Sequence, residues 1–176
     1  MIWTVGHSNR TLEDFVTILR SHNIELVVDV RRFPGSRRYP HFNSEKLSTA
    51  LAEQGIAYLH FPELGGRRAP RPDSPNVAWR NEGFRGYADY METAEFRAAI
   101  DKLASEAKKR RTVVMCAEAL WWQCHRSMVA DFLKTEGWSV WHVLGAQKTE
   151  EHKYTAPAHV VNGRLTYHKD EPELAL

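Results

Sequence analysis

Two short runs constrain this chain more than any others. Leu26-Val27-Val28-Asp29-Val30 and Thr112-Val113-Val114-Met115 are almost wholly apolar and rich in β-branched residues, with no alternation of polar and apolar positions. A strand with one face in water alternates; a strand covered on both faces does not. Both runs therefore read as strands at the centre of a sheet with helices on each side. The segments around them fit. Leu12, Phe15, Val16 and Leu19 recur at helical spacing between Thr11, a suitable N-cap, and His22. Leu47, Ala50 and Leu51 mark a helix capped by Ser44 and running to Gly55, and Phe96, Ala99, Ile100, Leu103 and Ala107 mark another over 93–110. Ile2-Trp3-Thr4-Val5, Ile56 to His60 and Trp138 to Leu144 supply further strands.

The order β-α-β-α-β-loop-α-β-α-β predicts a three-layer, Rossmann-like α/β fold: a mainly parallel sheet of about five strands with helices on both faces. The boundaries read as one domain over 1–145, interrupted by a long loop at 62–86, and an extension over 146–176. In the extension Asn162-Gly163 lies between Val160-Val161 and Leu165-Thr166-Tyr167, the signal of a type I′ hairpin. Trp79, Phe84 and Tyr87 in and after the long loop argue for packing rather than disorder.

With 43% hydrophobic residues, the 176-residue chain is able to bury a core. No apolar run approaches the roughly 20 residues that span a bilayer, so no membrane partner is expected. Two cysteines do not make a disulfide framework, and a cytoplasmic location is the simplest expectation. The net charge of +2 does not by itself call for nucleic acid; the distribution of arginine matters more. Residues 31–42 hold four arginines and no acid, and Arg67, Arg68, Arg71, Arg80 and Arg85 follow in the long loop.

The chemistry-bearing residues fall just after predicted strands: His7 and Ser8 after the first, Asp29 and Arg31 at the end of the second, Gly65, Gly66 and Arg67 after the third, and Cys116, Glu118, Cys124, His125 and Arg126 after the fourth. In a parallel sheet such positions converge on one edge, where ligands bind. Between Met115 and Met128 the chain passes from strand through loop to helix, so Arg126 is expected in a first helical turn, beside free N–H groups that favour anions. Arg126, Arg31, Arg37 and Arg67, with Asp29, Ser8 and the Gly65-Gly66 backbone, form a candidate binding site for a small anionic substrate or nucleic acid.

Gly6-His7-Ser8, Asp29-Val30-Arg31 with Pro34 and Ser36-Arg37, Leu64-Gly65-Gly66-Arg67, Tyr87-Ala88-Asp89-Tyr90, and Cys116-Ala117-Glu118 with Cys124-His125-Arg126 together resemble the bacterial family catalogued as domain of unknown function 488. The resemblance spans roughly residues 2–145. It implies a single α/β domain with a site built from these motifs, and it names no reaction.

Several roles stay open on the residues alone. Cys116 is a candidate nucleophile or a small buried residue at a strand end, and Cys124 is a second candidate. The strand–Cys–loop–Arg–helix layout is similar to that of cysteine phosphatases. Nine residues separate Cys116 from Arg126 here, however, against five in the phosphatase signature, and the loop is not glycine-rich. Glu118 is a general acid–base or a partner of Arg126, the pairing being favoured. His7 and His125 are proton carriers or structural hydrogen-bonders. Asp29 pairs with an arginine or binds substrate. The cysteines and histidines lack C-x-x-C or H-x-x-x-H spacing, so no metal and no cofactor are expected; a redox Cys116–Cys124 pair has an atypical spacing as well. A hydrolase or transferase using Cys, His and Arg is thus set against a non-catalytic nucleic-acid-binding module and a metal- or redox-active Cys/His protein. In the nucleic-acid reading, Phe33, Tyr39, Phe42, Trp79 and Phe84 would stack on bases; alternatively these rings pack the loops onto the domain.

Overall fold

In the computed structural model, residues 1–169 are described; the last part of the 146–176 extension lies outside them. Chain order runs β1 (Ile2–Gly6), α1 (Leu12–Ser21), β2 (Leu26–Asp29), α2 (Ser44–Glu53), β3 (Ala57–His60), α3 (Glu82–Met91), α4 (Ala94–Lys109), β4 (Thr112–Cys116), α5 (Arg126–Thr135), β5 (Val140–Gly145), β6 (Lys148–Glu151), β7 (His159–Val161) and β8 (Arg164–Thr166). The main sheet has the order β3-β2-β4-β1-β5-β6. Its first five members are parallel, and β6 adds antiparallel to β5 at the edge.

The apolar runs do what their composition requires. Every residue of β1, β2 and β4 is buried. Alternate side chains serve opposite faces: Val27, Val113 and Met115 pack with Phe15, Leu19, Leu47 and Leu51 of α1 and α2, whereas Leu26, Val28 and Val114 pack with Tyr87, Phe96, Ile100, Leu103 and Met128 of α3–α5. This division follows from crossover handedness. The path β1→β2→β3 moves across the sheet one way and β3→β4→β5 moves back, so right-handed connections place their helices on opposite faces.

The crossovers also set the position of the site. The connection leaving β4 goes to one face; those leaving β1 and β2, its two neighbours, go to the other. Such a divergence opens a crevice at the carboxyl ends of the strands, and Cys116 is the last residue of β4.

The long loop is shorter than its composition suggests. Asn81 caps α3 by accepting from the Phe84 amide at 3.1 Å, so the helix starts well before the expected end of the loop at Gly86. Gly83 and Gly86 obscure the helical pattern; Gly86 is required because any Cβ there would overlap the backbone of Arg68 and Ala69. The Tyr87–Tyr90 motif then ties the loop down. The Tyr87 and Tyr90 hydroxyls donate to the carbonyls of Leu64 and Glu63 at 2.8 and 2.6 Å. Asp89 accepts from the Arg71 amide, the Ser74 hydroxyl and the Asn76 side-chain amide. Trp79 packs between Phe84 and Tyr167, so part of the loop's aromatic content is structural.

The second helix begins at Ser44, with Asn43 rather than Ser44 in the capping position. Strand β6 carries no apolar signal in Lys148-Thr149-Glu150-Glu151, which suits an exposed edge. Strands β7 and β8 form the hairpin; Asn162 and Gly163 have φ of 50° and 74°, the positive values a type I′ turn demands.

Behind the sheet lies a buried polar chain that the sequence did not disclose. Thr4 Oγ1 hydrogen-bonds His142 Nδ1 at 2.6 Å, His142 Nε2 hydrogen-bonds His152 Nδ1 at 2.9 Å, and His152 Nε2 donates to Asp131 Oδ1 at 2.9 Å. Asp131 also accepts from Thr155 and from the Tyr167 hydroxyl. Burial, with His152 and Arg126 adding to it, lowers His142 to about 2.

Candidate functional site

The connection between β4 and α5 crosses the end of β1. Gly6 makes this possible, because a Cβ at that position would overlap the backbone of Glu118 and Ala119. From above, Trp121 stacks on His142 at 4.2 Å and 8°, which couples this connection to the buried histidine chain. Thus held, the connection returns Cys124 to Cys116. The two sulfurs are 2.9 Å apart, and both cysteines are free.

A cleft opens over this pair, lined by Arg31, Arg32, Phe33, Gly66, Arg67, Ala117, Glu118 and His125 as well as both cysteines; its volume is about 190 Å³. It adjoins a wider groove of about 650 Å³ that shares Arg31, Phe33, Arg67, Ala117 and Glu118 and continues past His7, Ser8, Ser36, Arg38, Tyr39 and Gln123. Glu118 is the only acidic residue in either lining.

The two thiols differ. Cys116 is held well above the usual thiol range, chiefly by burial. Cys124 is lowered, first by the hydrogen bond from Cys116 and then, against its own burial, by Arg126. Cys124 is therefore the more acidic thiol, although Cys116 occupies the strand end that drew attention in the sequence. Next to it, His125 Nδ1 lies 3.6 Å from the Cys124 sulfur. The His125 ring is buried beside the backbone of Leu64 and Val30. Burial lowers the pKa of His125.

Arg126 does not line the cleft. Its guanidinium turns back beneath the connection and donates to the Cys116 sulfur and the Glu118 carbonyl, and at 3.0 Å to the Ala119 carbonyl. It is 1% exposed. The link to Glu118 thus runs through the main chain, leaving the Glu118 carboxylate on the cleft wall. Arg31 is mostly committed too. Nε and Nη2 grip Asp29, Nη2 also donates to the Phe42 carbonyl at 2.7 Å, and Nη1 donates to His7 Nε2 at 3.1 Å. Of the five guanidinium N–H groups, one is left for the cleft. Asp29 is fully buried and accepts also from the Tyr58 hydroxyl, so the alternative of pairing with an arginine describes it. His7 stacks on Phe42, donates from Nδ1 to the Ser8 carbonyl and is lowered to about 4, mainly by burial. Both of its nitrogens are used, as in a structural hydrogen-bonder.

Arg67 stands at the boundary between cleft and groove, with φ of 61°. Ser8 has φ of 53°. Among the described residues these are the only two with positive φ that are neither glycine nor asparagine, and both line this edge. Left-handed backbone in such residues is uncommon and collects at functional sites. Gly66 lies against the His125 ring, where a Cβ would come within 2.8 Å of Nδ1. Gly65 lies against Arg32 and lines neither space, and Arg37 is exposed outside both. Arg32, Phe33, Arg38 and Gln123 belong to the walls; the arginine density of residues 31–42 pointed to Arg32 and Arg38 and the stacking reading to Phe33, whereas Gln123 carried no signal. Among the described residues no group of three or more His, Cys, Asp or Glu side chains is placed to hold a metal ion. No helix there is long and apolar enough to cross a membrane.

The model of a family described as domain of unknown function DUF488 matches residues 11–133, which include three of the four strand-end clusters. The chain belongs to the DUF488 family. No curated protein and no solved structure matches it. In this DUF488 chain the family-like motifs divide by role: Tyr87-Ala88-Asp89-Tyr90 and Asp29 brace the edge, Gly66-Arg67, Cys116-Ala117-Glu118 and Cys124-His125 form its wall, and Arg31 does both.

Proposed function

We propose that this DUF488 chain is a thiol-dependent hydrolase or transferase for a small anionic substrate, with Cys124 as the nucleophile. The observation that carries the reading is Cys124 in a cleft walled by Arg31, Arg32 and Arg67, with His125 Nδ1 3.6 Å from its sulfur; the hydrogen bond from Cys116 and the charge of Arg126 lower its thiol pKa. A thiolate is the reactive form of cysteine, and neighbouring cations favour it. Arg67 and Arg32 hold a phosphate or carboxylate group, joined by the remaining N–H of Arg31. Cys124 attacks the electrophilic centre, a bond to sulfur forms as the bond to the leaving group breaks, and the leaving group takes its proton from solvent. Water or a second substrate then takes the group from sulfur, and His125 moves the proton. A reducing compartment such as the cytoplasm keeps the thiols free for this chemistry.

Iodoacetamide labelling against pH tests it, with the labelled cysteine identified by peptide mapping. Cys124 should be alkylated with a midpoint below the free-thiol value of about 8.5, and phosphate or a nucleotide should slow the reaction. Alkylation with an ordinary midpoint, unaffected by any anion, would remove the nucleophile from the reading.

One observation favours a second reading. Phe33 is 65% exposed at the junction of cleft and groove, with the Arg32 guanidinium over its ring and Arg38 over Tyr39 further along. Exposed rings among arginines suit a single-stranded nucleic acid, its bases stacked and its phosphates paired. Oligonucleotide binding that weakens steeply with salt would favour this reading.

A further inference from the structure

The Cys116–Cys124 contact supports chemistry that needs no anionic substrate. The sulfurs come from the two ends of a connection pinned by Gly6 below and Trp121 above, so their approach is built into the fold. They are 2.9 Å apart, inside ordinary contact distance, and a disulfide closes at about 2.05 Å. The Arg126 guanidinium donates to the Cys116 sulfur, placing a fixed cation beside the pair. The pair also faces open space, since both cysteines line the small cleft.

We propose that Cys116 and Cys124 are a redox-active dithiol that a hydroperoxide converts reversibly to a disulfide. The Cys124 thiolate attacks one peroxide oxygen: an S–O bond forms, the O–O bond breaks, and the departing hydroxide or alkoxide takes a proton from solvent to leave as water or alcohol. Cys116 then attacks the sulfenic sulfur. The S–S bond forms, the S–O bond breaks, and the hydroxide leaves as water with the Cys116 proton. Two thiols lose two electrons, which reduce the peroxide. A small dithiol reductant reverses the step by exchange. The geometry assigns the order: His125 Nδ1 lies 3.6 Å from the Cys124 sulfur, whereas the Cys116 sulfur is held from beneath by Arg126, so Cys124 attacks and Cys116 resolves; the lowered pKa of Cys124 agrees with this.

The test is to treat the reduced full chain with stoichiometric hydrogen peroxide near neutral pH, quench with iodoacetamide under unfolding conditions, and map the peptides without reductant. The expected result is loss of both alkylatable thiols, one peptide pair joined through Cys116 and Cys124, and full recovery with dithiothreitol. Cys116→Ser should stop at a sulfenic acid on Cys124 that dimedone traps; Cys124→Ser should react at least about tenfold more slowly than the parent, as for an unactivated thiol. Persistence of both thiols in the parent protein, or oxidation of Cys124 to sulfinic acid without a crosslink, would overturn the proposal. The parent measurement decides it even if a variant fails to fold. The outcome is separate from that of anion-protected alkylation, which reads the substrate proposal.

Discussion

At the scale of single residues, the site turns on how three arginines spend their donors. Arg126 and Arg31 are inside, holding a sulfur, carbonyls, a carboxylate and an imidazole; Arg67 is exposed and lines both the cleft and the groove. Their consequences on mutation therefore separate. Arg126→Ala should destabilise the fold by about 3 kcal/mol or more, because charge-assisted bonds to buried acceptors are worth roughly 1.5–3 kcal/mol each and the Glu118 and Ala119 carbonyls would lose their donor. Lysine should restore little of this, since one ammonium cannot reach the same acceptors in the guanidinium geometry. Urea denaturation measures it, and a midpoint equal to that of the parent would contradict the buried role. Arg67→Ala should leave the midpoint nearly unchanged and weaken anion protection of Cys124 by about tenfold, the value of one charge-assisted bond.

At the scale of elements, one helix, α3, holds the strand-end connections in place. The 62–66 turn hangs from Tyr87 and Tyr90 of α3, and its Gly66 abuts His125 at the start of α5. The loop from Arg71 to Asn76 hangs from Asp89. Asp89 accepts three hydrogen bonds, which together with Arg71 hold its carboxyl below the usual range although burial opposes them. Asp89→Ala should thus free the loop while leaving the sheet intact. Limited proteolysis should show new cleavage among residues 67–80, with thermal unfolding of the remaining domain little changed. Unaltered resistance to protease would mean that Trp79, packed on Phe84 and Tyr167, suffices to hold the loop.

At the scale of the whole molecule, two buried neutral histidines tie stability to pH. His7 is lowered to about 4 and His142 to about 2, from an ordinary value of 6.5. Below pH 6.5 the unfolded chain takes up protons that the folded chain refuses, so stability is complete above 6.5 and falls with acidification towards pH 4 for His7 and further for His142. Each group costs up to about 1.4 kcal/mol per pH unit in its window. Denaturation series at pH 7, 6 and 5 should show this decline; a flat profile would mean that the histidines are solvated. The sheet, its layers and the gathering of His7, Arg31, Arg67 and Cys116 at one edge were legible in the chain, because wholly apolar runs between amphipathic helices admit few arrangements and parallel strands end together. The hairpin was legible for the same local reason, a two-residue turn needing positive φ. What only the tertiary structure decided was direction and partnership. Whether Arg126 faces a ligand or a sulfur, which cysteine is the more acidic, and that Thr4, His142, His152 and Asp131 form one buried chain all depend on side chains brought together from positions far apart in the sequence. Periodicity carries the location of an element and the face it buries; it does not carry which acceptor a long side chain finds, since that is set by desolvation and geometry once the packing exists.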